Sequence, residues 1–174
     1  MIKVGITGDM GSGKTTVCRV FQHLDVSVFD SDNRAKQLYD KEDVKEKICL
    51  LFGDGLLSDR GEVDRKKLGQ LVFSDPKRLQ ALNAMIHPLV LEEYEKWTEK
   101  HKKERYTLFE SALLYSCNLT HLFDKIIFVE ASQDVRIRRV MERDNTSLSH
   151  VWQRIEQQSF EKNELFKPDY FIFN

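Results

Sequence analysis

Residues Gly8-Asp9-Met10-Gly11-Ser12-Gly13-Lys14-Thr15 follow an apolar run marked by Ile2, Val4 and Ile6 and lead into a helical pattern from Thr16 to Leu24. Nothing else in the chain restricts the fold as strongly. Glycines at this spacing let the backbone curl until successive N–H groups converge on one point, and the helix that follows adds its positive end. Phosphate oxygens suit such a point, with Lys14 reaching the terminal phosphates and the Thr15 hydroxyl reaching Mg²⁺. The expected nucleotide-binding residues are therefore Gly8, Met10, Gly11, Ser12, Gly13, Lys14, Thr15 and Thr16. Asp9 is discordant, because a carboxylate inside an anion-binding loop repels the ligand unless it points away into solvent.

The rest of the composition is compatible with one compact domain. A chain of 174 residues can bury roughly 70% of its unfolded surface without a disulfide or metal staple. The 27 basic and 28 acidic residues nearly cancel, which argues against a general nucleic-acid binder. Cys18, Cys49 and Cys117 show no paired spacing, as expected of reduced thiols and not of a disulfide framework or zinc site. The longest unbroken apolar run, Ile48 to Phe52, is too short to span a bilayer. A cytoplasmic protein with no membrane partner, acting as a monomer or weak homo-oligomer, is expected.

Short runs rich in Val, Ile and Phe alternate with helical patterns along the chain. The runs Ile2–Thr7, Val26–Phe29, Tyr106–Phe109, Lys125–Val129 and Tyr170–Phe173 lack clean alternation, as do strands covered on both faces. They predict an α/β fold of three layers around a five-stranded, mostly parallel sheet. Residues 33–105 read as a helical insertion: a helix over Asn33–Phe52, a polar turn around Gly53–Gly61, a helix over Asp64–Phe73, and another from Pro76 to about Lys103. Pro76 sits at a first helical position, and Pro88 is expected to bend or break the last helix near His87.

In open parallel sheets ligands sit beyond the carboxyl ends of the strands. After the second run comes Asp30-Ser31-Asp32, suited to accepting a proton from a substrate hydroxyl and helping to organise Mg²⁺, or to capping a helix that starts at Asn33. After the third comes Glu110, a Mg²⁺ candidate or simply a polar strand terminus. After the fourth, Arg136, Arg139 and Arg143 recur at steps of three and four, hence on one helix face. Like charges so spaced cost about 0.2–0.5 kcal/mol per pair, which a bound triphosphate would offset; the alternative is a solvated basic face.

Several segments together resemble the dephospho-CoA kinases over nearly the whole chain. They are Val4–Thr16, Phe29-Asp30-Ser31-Asp32 with Arg34-Ala35, Val63-Asp64-Arg65, Leu82–Val90 with its Asn-Ala-Met-Ile-His-Pro core, Arg139–Asn145, Arg154-Ile155 with Gln158, and Asp169-Tyr170. The resemblance implies a single P-loop kinase domain over 1–174, with the 33–105 insertion receiving the coenzyme A precursor and residues 133–160 forming a helical lid. It implies ATP-dependent phosphorylation of the ribose 3′-hydroxyl of dephospho-CoA, giving coenzyme A and ADP, with Mg²⁺. By matching positions, Asp32 would take the hydroxyl proton, Lys14 would hold phosphate, Arg143 would act from the lid with Arg139 beside it, and Asp30, Asp32, Arg65 and His87 would meet the acceptor. Thr15, Asp32 and Glu110 are the implied metal contacts. The pattern departs at Asp9, where glycine is usual, and at Ala112-Leu113-Leu114-Tyr115-Ser116, where Pro-Leu-Leu-Phe-Glu is usual. The alternatives are a P-loop kinase acting on a nucleoside monophosphate or other small acceptor, and a non-catalytic nucleotide-binding protein.

Overall fold

Val, Ile and Phe build strands where both faces are covered, because their branched or aromatic side chains pack well on a pleated surface. In the computed structural model, which describes residues 1–158 and 166–174, the five runs form one sheet of order β2-β3-β1-β4-β5. The strands are β1 (Ile2–Thr7), β2 (Val28–Asp30), β3 (Tyr106–Glu110), β4 (Lys125–Glu130) and β5 (Tyr170–Phe173). All four pairings are parallel, with Ile6 opposite both Glu110 and Ile127 and Asp30 opposite Glu110. β1 lies at the centre, and the loop that leaves it emerges at the carboxyl ends of β3 and β4, the crevice where open sheets bind ligands.

The seven α-helices among the described residues are α1 (Lys14–His23), α2 (Ser31–Leu38), α3 (Glu42–Phe52), α4 (Arg65–Phe73), α5 (Pro76–Lys100), α6 (Gln133–Asp144) and α7 (Leu148–Gln158). The chain divides into two compact units, Met1–Asp30 with Trp97–Asn174, and Ser31–Lys96. In the first, Val4, Ile6, Cys18, Leu108, Ile127 and Val129 form the core between α1 and the sheet. Full burial of a side chain such as Ile6 or Leu108 contributes about 1.5–3 kcal/mol. That core fixes β1, β3 and α1, and so holds both ends of the phosphate-binding loop.

Three local expectations are corrected. The helix expected over 33–52 starts two residues earlier and splits at Tyr39-Asp40-Lys41. In one continuous helix the six-residue step from buried Leu38 to buried Val44 would set them about 120° apart and off a common stripe, Lys41 is extended, and Glu42 and Asp43 favour a fresh N-terminus through the helix dipole. Of the two outcomes expected at Pro88, a bend or a break, the break does not occur: α5 runs on through it. Burial of Leu82, Ile86, Val90 and Tyr94 at four-residue steps around it outweighs the roughly 3 kcal/mol that an interior proline costs. Finally, Glu110 is the last residue of β3 instead of following it. At α4 the reading holds closely, since Asp64 caps the helix by accepting from the Lys66 and Lys67 amides at 3.1 and 3.0 Å.

Candidate active site

The phosphate-binding loop is built as its glycines predict. Gly13 caps α1 in the left-handed region, with φ 92° and no capping side chain, so the first-turn amides of α1 remain available to an anion. Gly11, at φ 79°, packs against the backbone of α6: a Cβ there would lie 2.6 Å from the Arg136 carbonyl oxygen. Lys14 Nζ donates to the carbonyls of Gly8 and Asp9 at 2.9 and 3.1 Å, which keeps its ammonium over the loop. Ser12 is fully buried.

The Thr15 hydroxyl donates to Glu110 Oε1 at 2.7 Å, joining two elements that lie 95 residues apart. Glu110 is buried, and burial pushes its carboxyl up; Asp30 on the neighbouring strand adds to the rise, while hydrogen bonds from Thr15 and Cys18 and the Lys14 charge oppose it. Burial beside Glu110 likewise drives the Cys18 thiol far up, so it stays protonated. Among the described residues no group of three or more His, Cys, Asp or Glu gathers to hold a metal. Thr15 and Glu110 nevertheless offer two hard oxygen donors, which fits Mg²⁺, an ion held by one or two protein oxygens together with substrate phosphates.

The arginine row of α6 divides between two settings. The Arg139 side chain reaches the loop, its Nη1 lying 3.5 Å from where a Gly13 Cβ would stand. Arg139 Nη1 and Arg136 Nε are buried with no hydrogen-bond partner among the described residues. Arg143 is 65% exposed and forks onto Asp144 at 2.7 and 3.1 Å. Asp144 also accepts from Arg154 at 2.8 Å, and the Arg143 hydrogen bond is the main reason its carboxyl lies below the usual range. The expected lid over 133–160 includes α6 and α7, while its last residues, 159 and 160, lie outside the described residues.

Two features were missed by the sequence reading. Asp9 does not turn into solvent: its carboxylate meets Arg136 Nη1 at 3.4 Å. Asn174, directly after β5, donates from Nδ2 to the Ser12 carbonyl at 3.0 Å, so a fifth strand end contributes to the loop. The rule that drew attention to residues after the second, third and fourth strands applies equally to Asn174. Arg136 was in view as part of a basic row, but no spacing signal joins it to Asp9.

In the unit 31–96, Asp32 is exposed and lies in the first turn of α2, so it does not cap a helix beginning at Asn33. Tyr39 stands near both Asp32 and Arg65: burial and the Asp32 charge push its phenol up, while Arg65 opposes the rise. Arg65 grips Asp40 at 2.9 and 3.1 Å. His87 on α5 is half-buried, and burial lowers its imidazole pKa, which keeps it neutral at pH 7. Asp32 and Arg65 thus share surroundings that sequence spacing alone does not reveal.

The loop, the acid at the end of β3 and the arginines of α6 are parts common to many phosphoryl-transfer proteins, and comparison with known proteins narrows the choice. The family model described as Dephospho-CoA kinase matches residues 2–174. A dephospho-CoA kinase of Fusobacterium nucleatum is 33% identical over 171 residues, covering 98% of this chain and 88% of the relative. Among solved structures, TT1252 from Thermus thermophilus superposes with a TM-score of 0.80 at 31% identity, covering 99% of this chain and 88% of the other. A dephospho-CoA kinase from Campylobacter jejuni, 23% identical over 99% of this chain and 87% of its own, shares the fold at a TM-score of 0.65. With the family pattern matched across nearly every residue and a relative this similar over most of its own length, the chain belongs to the dephospho-CoA kinase family.

Proposed function

We propose that this chain transfers the terminal phosphoryl group of ATP to the ribose 3′-hydroxyl of dephospho-CoA, yielding coenzyme A and ADP. The observation that carries the reading is the Thr15–Glu110 contact within electrostatic reach of Lys14, which brings a hydroxyl, a buried carboxylate and an ammonium together beside an amide-lined loop, in a member of this family. Such a mouth favours bound phosphates through oriented amides and fixed charge. Phosphoryl transfer asks little covalent chemistry of the protein; positioning and charge stabilisation supply most of the acceleration.

In the proposed step the acceptor oxygen bonds to the terminal phosphorus, the bond from that phosphorus to the bridging oxygen breaks, ADP departs, and Asp32 receives the hydroxyl proton. Lys14 and Arg139 neutralise the charge that develops on the transferring group. Arg143 is the further lid arginine for this role. Mg²⁺, when held by Thr15 and Glu110, with Asp32 as the further carboxylate implied by the family pattern, would screen the phosphate charges. Asp30, Arg65 and His87 are the proposed acceptor contacts, with Asp30 sharing the carboxyl edge of the sheet with Glu110. No helix among the described residues is long and apolar enough to cross a membrane. A cytoplasmic location, small-molecule substrates and a monomeric or weakly oligomeric state are part of the proposal.

A coupled assay of ADP release with dephospho-CoA and a panel of nucleoside monophosphates as acceptors tests the reading. Turnover of dephospho-CoA, with the new phosphate located on the 3′-oxygen, is the expected result. Efficient use of a nucleoside monophosphate with none of dephospho-CoA would overturn it.

A further inference from the structure

Helix α6 is seated on the phosphate-binding loop at Arg136, and two independent contacts mark the place. The backbone of Arg136 lies so close to Gly11 that a side chain there would strike its carbonyl group. The Arg136 guanidinium reaches back to Asp9, Nη1 to Oδ2 at 3.4 Å. Asp9 belongs to the wall of the cradle, because its carbonyl accepts from both the Ser12 amide and Lys14 Nζ. The pair is sheltered, with side-chain exposures of 12% for Arg136 and 26% for Asp9, so water screens the carboxylate poorly.

A bare carboxylate in that position would oppose a nucleotide carrying several negative charges. We propose that Arg136 is a positioning residue that neutralises Asp9, and that this internal pair, with no contact between Arg136 and the nucleotide, sets the affinity of the loop for ATP. The inference rests on the nucleotide-binding reading above. It predicts a dependence that no direct phosphate ligand would show: loss of Arg136 is harmful only while Asp9 keeps its charge.

The test is a double-variant cycle on the full chain, measuring the ATP dissociation constant by calorimetry, KM and kcat with dephospho-CoA, and thermal melting to establish folding. Arg136→Gln is expected to weaken ATP binding at least tenfold and raise KM for ATP in parallel, with kcat within about threefold of the wild type, as for a lost uniform-binding contribution. Adding Asp9→Asn to that variant should return affinity to within about threefold of the wild type. Asp9→Asn alone leaves the Arg136 charge uncancelled and should tighten ATP binding. A double variant as weak as Arg136→Gln would mean that Arg136 itself holds the nucleotide, and an Arg136→Gln variant with wild-type affinity would mean that the pair is inert; either result overturns the proposal. Should Arg136→Gln fail to fold, Asp9→Asn decides alone, and unchanged or weaker ATP binding overturns it. Failure of the wild type to bind ATP is a separate outcome that removes the nucleotide reading and this inference together.

Discussion

Replacing Gly11 with alanine probes how closely the loop and α6 must approach. The residue sits at φ +79°, a left-handed conformation that costs a residue bearing Cβ about 1–2 kcal/mol. The new methyl would lie 2.6 Å from the Arg136 carbonyl oxygen and 3.0 Å from its carbonyl carbon and Cα. All three are backbone atoms, so no rotamer change relieves the overlap, and overpacking of this kind costs about 1–3 kcal/mol. The two terms together give about 2–5 kcal/mol of destabilisation. For a chain of this size each kcal/mol shifts Tm by about 2–4 °C, so Tm should fall by about 4–20 °C, and the further rise on adding ATP with Mg²⁺ should shrink as the loop is displaced. Gly55→Ala is the control, because its Cβ would point into open space with no left-handed φ, and reduced unfolded-state entropy should stabilise it by about 0.4–1 kcal/mol. Differential scanning fluorimetry with and without nucleotide reads both variants. A Gly11→Ala melt indistinguishable from wild type, with full nucleotide stabilisation, would refute the close seating of α6 on the loop.

Asp32→Asn should bind ATP within about threefold of the wild type by calorimetry while kcat falls about 10²–10⁴-fold, the usual contribution of a positioned general base; a wild-type rate removes Asp32 from proton transfer. Lys14→Ala should lose both ATP affinity and turnover, since its ammonium sits over the loop, and normal calorimetric affinity would contradict its role as a phosphate contact. Glu110→Gln should move stability and activity in opposite directions. Burial raises the Glu110 carboxyl above its ordinary value of 4.5, so the folded chain binds this proton more tightly than the unfolded chain. The stability this group contributes is full below that ordinary value and is lost as pH rises through the folded value. The permanently neutral glutamine escapes that loss: nucleotide-free melts should show the variant above the wild type at pH 8, with the gap closing toward pH 4.5, and turnover should be reduced throughout. A gap that widens on acidification would reverse the assigned cause.

Local signals carried much of the fold. A loop whose amides must converge is encoded in consecutive residues, so Gly11, Gly13 and Lys14 announce it without help from the rest of the chain. The five strand runs were legible because burial on both faces leaves uninterrupted Val, Ile and Phe. Less legible were events settled by competition between distant groups. The break at Tyr39-Asp40-Lys41 depends on which apolar side chains α2 and α3 bury, and the continuity of α5 through Pro88 depends on the stripe at Leu82, Ile86, Val90 and Tyr94. A basic row at 136, 139 and 143 could be read from spacing, but not its division between residues facing the loop and Arg143 on Asp144.

From its sequence alone this chain determines a nucleotide-type loop after the first strand, a parallel sheet to carry it, and the residue types suited to phosphoryl transfer, because each follows from backbone geometry and periodicity over short stretches. Only the tertiary structure decides that Glu110 receives the Thr15 hydroxyl, that Asn174 meets Ser12, and that Asp9 is answered by Arg136. Those pairings join residues between 95 and 162 positions apart. Which partner each of these charges and hydrogen-bonding groups meets depends on how the sheet and its helices bury their apolar faces and so bring the strand ends together.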